Sequence, residues 1–190
     1  MAIQHFYEEI FGYSDDTYFS IISDVVKRFD SGSHFVEVGA LLGKSSAYMA
    51  VEIANSGKDI RYDIVDHWLG SSEHRIVEEL QNIDMFEIFI ENMKPVEGYY
   101  NPIRMSSTEA VSLYEDESLD FVMIDGDHSH LAVKDDISNW LPKIKNGGLL
   151  AGDDYDNDGI RSACENLLAN NSHGEFSYWT TKWFFNKGKK

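Results

Sequence analysis

Two clusters of acid and imidazole side chains carry the clearest chemistry in this sequence: Asp125-Gly126-Asp127-His128-Ser129-His130 and Gly152-Asp153-Asp154-Tyr155-Asp156. Each follows a short apolar run that reads as a β-strand, Leu119 to Ile124 and Leu149 to Ala151. If those strands are parallel neighbours, Asp125 lies beside Asp153 and Asp154. Carboxylates that close raise one another's pKa and repel unless a cation or a proton neutralises them. A hard divalent ion with oxygen ligands meets that need economically. Asp127 and Asp156 fit better as caps of the helices that follow.

A second kind of site lies earlier, where Val36 to Val38 leads into Gly39-Ala40-Leu41-Leu42-Gly43-Lys44-Ser45-Ser46 and a helix begins. A glycine turn at a helix N-terminus lets backbone N–H groups approach a ligand with no Cβ in the way. Three ligand classes use such turns. A triphosphate loop needs G-x-x-x-x-G-K-[ST], and Gly39 to Gly43 encloses one residue too few, although Lys44-Ser45 follows. A dinucleotide loop needs G-x-G-x-x-G, and Leu41 stands where the middle glycine would approach the pyrophosphate. The third pattern is an acid two residues before the turn and a second acid at the end of the next strand. Glu37 and Asp66 supply it.

With those residues in view, the stretch from Phe35 to Gly159 resembles the class I S-adenosylmethionine-dependent methyltransferases. The resemblance implies a turn, Gly39, Ala40, Gly43, Lys44 and Ser45, that holds the methionine part of the cofactor together with Glu37. It implies that Asp66 binds the ribose hydroxyls, since an ionised carboxylate only accepts hydrogen bonds. His67 and Trp68 would lie beside the adenosine or over the acceptor. Ser106 and Ser107, after the third strand, would lie against the adenine, with helix capping as their plain alternative. The acidic clusters resemble more closely the metal-dependent O-methyltransferases of the catechol and sugar-modifying type. That likeness implies Asp125, Asp153 and Asp154 as ligands of magnesium or calcium, Asp125 also bordering the cofactor. It implies His128, three residues after the first metal acid, as the base for a hydroxyl acceptor, with His130 as understudy.

These side chains need a scaffold that brings strand ends together, and the pattern of the chain supplies one. Short apolar runs alternate with stretches of helical period, which implies a parallel sheet with crossover helices. The strands read as His34 to Val38, Arg61 to Val65, Asn101 to Met105, Leu119 to Ile124 and Leu149 to Ala151, followed by Phe176 to Trp179 and Trp183 to Asn186. The last two are separated by three residues, so they form a hairpin and one strand runs antiparallel to its neighbour. Helices are expected over Ser45 to Ala54, Thr108 to Tyr114, Leu131 to Leu141 and Asp158 to Ala169. The fold class is therefore α/β, a Rossmann-like doubly wound, mostly parallel seven-stranded sheet with an antiparallel C-terminal hairpin strand. One domain spans 1–190. Residues 1–30 form a helical cap on which Ile21, Ile22, Val25, Val26 and Phe29 share a face, and 69–95 form an insertion that carries His74, Phe86 and Phe89.

Composition narrows the partners. A chain of 190 residues buries roughly 70% of its unfolded surface, enough for its own core. No stretch approaches the ~20 apolar residues of a membrane span. The N-terminus carries acids where a secretory signal carries Lys or Arg, and Cys164 is the sole cysteine, which together point to a reducing cytoplasm. A net charge of −17, with only Lys187, Lys189 and Lys190 as a basic tail, argues against nucleic acid. The expected partner is a small-molecule acceptor such as a sugar, polyol or catechol, with a homo-oligomer left open. The alternatives are a cofactor-binding accessory module without transfer and a phosphotransferase dependent on Lys44.

Overall fold

A computed structural model describes residues 2–70 and 80–188. Part of the 69–95 insertion, His74 included, lies outside the described residues. The seven strands are β1 (His34–Val38), β2 (Arg61–Asp66), β3 (Asn101–Arg104), β4 (Leu119–Ile124), β5 (Ile144–Gly152), β6 (Gly174–Trp179) and β7 (Lys182–Lys187). They form one sheet in the order β3-β2-β1-β4-β5-β7-β6. The first five are parallel, whereas β7 runs antiparallel to both β5 and β6. The order reverses between β1 and β4, which opens a crevice beyond the carboxyl ends of those strands.

Strand alternation divides the core in two. Phe35, Ile64, Phe121 and Met123 face one side, where α1 (Asp16–Arg28), α2 (Lys44–Ser56) and α3 (Met85–Met93) cover them. Val36, Val38, Val122 and Ile124 face the other, covered by α5 (His130–Trp140) and α6 (Asp158–Cys164), with the short α4 (Ser107–Ala110) at its edge. The apolar stripe read in the first 30 residues is the buried face of α1, capped by the Asp15 side chain, which accepts from Tyr18 N at 2.8 Å. Among the described residues no helix is long and apolar enough to cross a membrane.

The element boundaries moved where local geometry outweighed periodicity. The helix expected over Thr108 to Tyr114 is α4 followed by a 3₁₀ turn, Val111–Leu113. The one expected to end at Leu141 stops at Trp140, because Pro142 sits in a 3₁₀ turn. The helix expected to reach Ala169 continues past Cys164 as one wider turn, Glu165–Ala169. β5 begins at Ile144 rather than Leu149, since Ile144 pairs with Leu119 before the register shifts.

Candidate functional site

A cleft of about 500 Å³ opens beyond the carboxyl ends of β1 to β5. That volume suits a cofactor-sized ligand, and its walls join the two constellations read from the sequence. On one side are Gly39, Ala40, Lys44 and Ser45 with Asp66 and His67; on the other are Asp125, His128, Asp153 and Asp154. Ser106 and Ser107 close a third edge. Glu37, Gly43, Trp68 and His130 lie outside the walls.

The turn is fixed by the strand ends around it. Gly39 N donates to Val65 O at 2.9 Å, and Asp125 N donates to Val38 O at 2.8 Å. Gly39 has φ +91°, and a Cβ there would lie 2.1 Å from the Asp125 carbonyl oxygen. Only glycine lets β1 turn this close to the end of β4. Asp66 then latches the turn: its Oδ2 accepts from Ala40 N at 2.9 Å and Leu41 N at 3.2 Å, while Oδ1 accepts from Trp68 N at 2.7 Å. Gly43 is the left-handed residue before α2, packed on Phe89 behind the turn.

Trp68 reinforces the same turn rather than walling the cleft. Its Nε1 donates to Leu41 O at 3.0 Å, and its ring packs against Phe86 and Phe89, centroids 4.8 and 4.7 Å away. An indole with its single donor satisfied and its faces covered belongs to the core. Phe86 and Phe89 are its packing partners. Lys44 lines the cleft but turns its ammonium to the Gly12 carbonyl at 3.3 Å, so the amine is not held for a phosphate.

Glu37 faces away from the cleft, and alternation is the reason. With Val36 and Val38 directed to the α5 side, Glu37 must point beneath α2. It is 3% exposed, and Ser45 Oγ, Ser46 Oγ and Tyr62 Oη all donate to its carboxylate, the first two at 2.6 and 2.5 Å. Burial pushes its pKa up to about 7; the three hydroxyl donors oppose that and the Asp125 charge adds to it. In this arrangement Glu37 supports the start of α2 from below.

At the third edge Ser106 caps α4 in a reciprocal box with Glu109. Ser107 Oγ donates to the Asp136 carboxylate and accepts from Trp140 Nε1 at 2.8 Å. Asp136 itself lines the cleft, and burial raises its pKa to about 6. Neither Asp136 nor the segment Phe11 to Ser14, which forms a further wall, was marked by any motif.

The acidic cluster is more fully paired than its sequence implies. His128 Nε2 lies 3.5 Å from Asp125 Oδ1 and 3.2 Å from Asp154 Oδ2. Asp153 Oδ1 accepts from Asp154 N at 2.6 Å and from Lys182 Nζ at 2.7 Å. Burial raises the pKa of both Asp153 and Asp154; the Lys182 bond opposes this at Asp153, and His128 opposes it at Asp154. Among the described residues no group of three or more His, Cys, Asp or Glu side chains is arranged to hold a metal ion. The buried positive charge beside these acids is the Lys182 ammonium, while the His128 imidazole lies between Asp125 and Asp154. His130, the understudy base, is drawn off by α6: its Nδ1–H donates to Gly159 O at 2.7 Å. The carbonyl can only accept, so that nitrogen carries the proton.

Lys182 escaped sequence reading because a lone lysine in a hairpin carries no motif. Register is what delivers it. β5 and β7 pair Gly152 with Trp183, and one step further the antiparallel ladder sets Lys182 opposite Asp153.

A family model described as a methyltransferase domain matches residues 36–155. A search of curated protein sequences returned no match. Among solved structures, an O-methyltransferase from Bacillus cereus, determined in complex with SAH, superposes with a TM-score of 0.67 at 17% identity, covering 92% of this chain and 83% of the other. The O-methyltransferase NovP gives 0.69 at 15% identity, covering 90% and 79%. A SAM-dependent O-methyltransferase from Thermotoga maritima gives 0.64 at 12% identity, covering 95% and 68%. The chain belongs to the methyltransferase-domain family, and its fold is that of the class I S-adenosylmethionine-dependent O-methyltransferases.

Proposed function

We propose that this protein transfers the methyl group of S-adenosylmethionine to a hydroxyl of a small molecule, a sugar, polyol or catechol. The observation that carries the reading is the continuity of one cleft from Asp66 and the glycine turn to His128. A binding half and a proton-accepting half share the same walls.

The donor set fits the cofactor. Asp66 accepts three backbone N–H groups, and a carboxylate has about four lone-pair sites, so acceptor capacity remains for a ribose hydroxyl. Gly39 and Ala40 offer a turn without bulk for the methionine end, bordered by Asp125, while Ser106, Ser107 and Asp136 surround the adenine end. When bound, the cofactor supplies an electrophilic methyl group on a sulfonium. The chain's own task is to orient the acceptor and remove its proton. The His128 imidazole takes that proton, and the imidazolium so formed keeps its Nε2 between Asp125 and Asp154, which stabilise it. His67, at the cleft rim beside Asp66, lies on the approach of the acceptor.

A divalent cation does not fit the acids as they stand, because Lys182 holds Asp153 and His128 lies between the other two.

Calorimetry with S-adenosylhomocysteine tests the reading. The wild-type protein is expected to bind it, and Asp66→Ala to weaken binding by roughly 10- to 100-fold, the loss of one hydrogen bond to a charged group. A wild-type protein that does not bind S-adenosylhomocysteine would overturn the reading. Binding without methyl transfer to any hydroxylated acceptor would favour an accessory module instead.

A further inference from the structure

We propose that the Lys182 ammonium is the resident counter-charge of the carboxylate cluster, standing where a divalent cation would otherwise be needed, so that the cleft works without a metal. The proposal deepens the methyltransferase reading of the same site and rests on it only for the role of the acids.

Three carboxylates, Asp125, Asp153 and Asp154, converge at the ends of β4 and β5, and each already has a nitrogen partner. Asp153 has Lys182 Nζ at 2.7 Å; Asp125 and Asp154 share His128 at 3.5 and 3.2 Å. The ammonium is built in rather than draped over the site. Lys182 is 2% exposed, donates to Thr181 Oγ1 at 2.7 Å, lies 3.3 Å from Asp15 Oδ2 at the cap of α1, and stands 5.6 Å from the centre of the Tyr18 ring. Asp153 and Asp15 both lie within ion-pair distance of the buried ammonium and compensate its charge.

A divalent ion at Asp153 would have to displace that ammonium or sit against it. Displacement strands a buried charge away from its carboxylates, and coexistence sets two like charges side by side. Lys182 does not line the cleft, so it acts through Asp153 as a positioning residue.

Titration of the full-length protein with Mn²⁺, followed by the paramagnetic signal of the free ion, tests this directly and needs no acceptor. The wild-type protein and Lys182→Arg are expected to leave Mn²⁺ free up to millimolar concentration. Lys182→Ala is expected to gain one ion, competed by Mg²⁺ or Ca²⁺ and lost again when Asp153→Asn is added. The proposal is overturned if the wild type takes up one equivalent of Mn²⁺ that Asp153→Asn abolishes, or if a folded Lys182→Ala takes up none. Should Lys182→Ala fail to fold, the wild-type and Lys182→Arg titrations decide. S-adenosylhomocysteine binding is a separate measurement, so this proposal and the cofactor reading fail independently.

Discussion

Replacing His128 with alanine is expected to lower the turnover number for methyl transfer by about 10²- to 10⁴-fold while leaving S-adenosylhomocysteine affinity unchanged. The asymmetry follows from the cleft. His128 lies on the wall formed by the ends of β4 and β5, whereas the turn and Asp66 lie across from it. Losing the imidazole removes a proton acceptor without touching the latch that shapes the binding half. The residual rate should climb with pH, as the acceptor hydroxyl ionises without help. The measurement is initial rate against pH with whichever sugar, polyol or catechol supports turnover. His130→Ala is the companion variant, expected to retain the wild-type rate because its ring is turned to Gly159 outside the cleft. Full turnover in His128→Ala would remove the base from this histidine.

The strands were legible because each is a short apolar run bounded by polar or glycine residues, and β1, β4 and the hairpin lie where the pattern set them. Strand ends then brought Asp66, Ser106, Asp125, His128 and Asp153 to one cleft, since ligands in open parallel sheets bind beyond those ends. Helix limits were less legible. They depend on caps and on prolines such as Pro142, which periodicity does not weigh.

Side-chain direction was the harder part. Glu37 reads as a ligand from its distance to the glycine turn, yet the alternation that buries Val36 and Val38 on the α5 face carries it under α2. Trp68 reads as a cleft wall from its position after Asp66, but Phe86 and Phe89 come from a distant segment to enclose it. Lys182 depends on the register of two strands that meet only in the folded sheet. The acid cluster did announce that it needed positive charge. It could not announce that the chain itself provides it, because that charge arrives from β7, 29 residues beyond Asp153.

Glu37→Gln is expected to abolish a loss of stability that the wild-type protein suffers as pH rises from about 4.5 to about 7. Burial raises the pKa of this carboxyl in the folded state from the ordinary 4.5 to about 7, so the native protein holds a proton there that the unfolded chain releases. A raised folded-state pKa gives stability that is complete below the unfolded value and declines until the folded value is passed. A shift of this size corresponds to about 3 kcal/mol, or roughly 6–12 °C in melting temperature for a chain of this length. Asp136, raised to about 6, contributes a slope of the same sign, but it is present in both proteins and cancels in their difference. Urea denaturation of the two proteins at pH 5 and pH 8 is the appropriate measurement. The stability of Glu37→Gln relative to wild type should increase between those values, because glutamine keeps an acceptor for the Tyr62 and serine hydroxyls without a charge to bury. Parallel pH profiles would mean that Glu37 is ionised in the folded protein throughout. The same variant also separates support from contact: with its side chain beneath α2, the change should leave S-adenosylhomocysteine affinity nearly intact at pH 6, whereas a direct ligand would lose it at every pH.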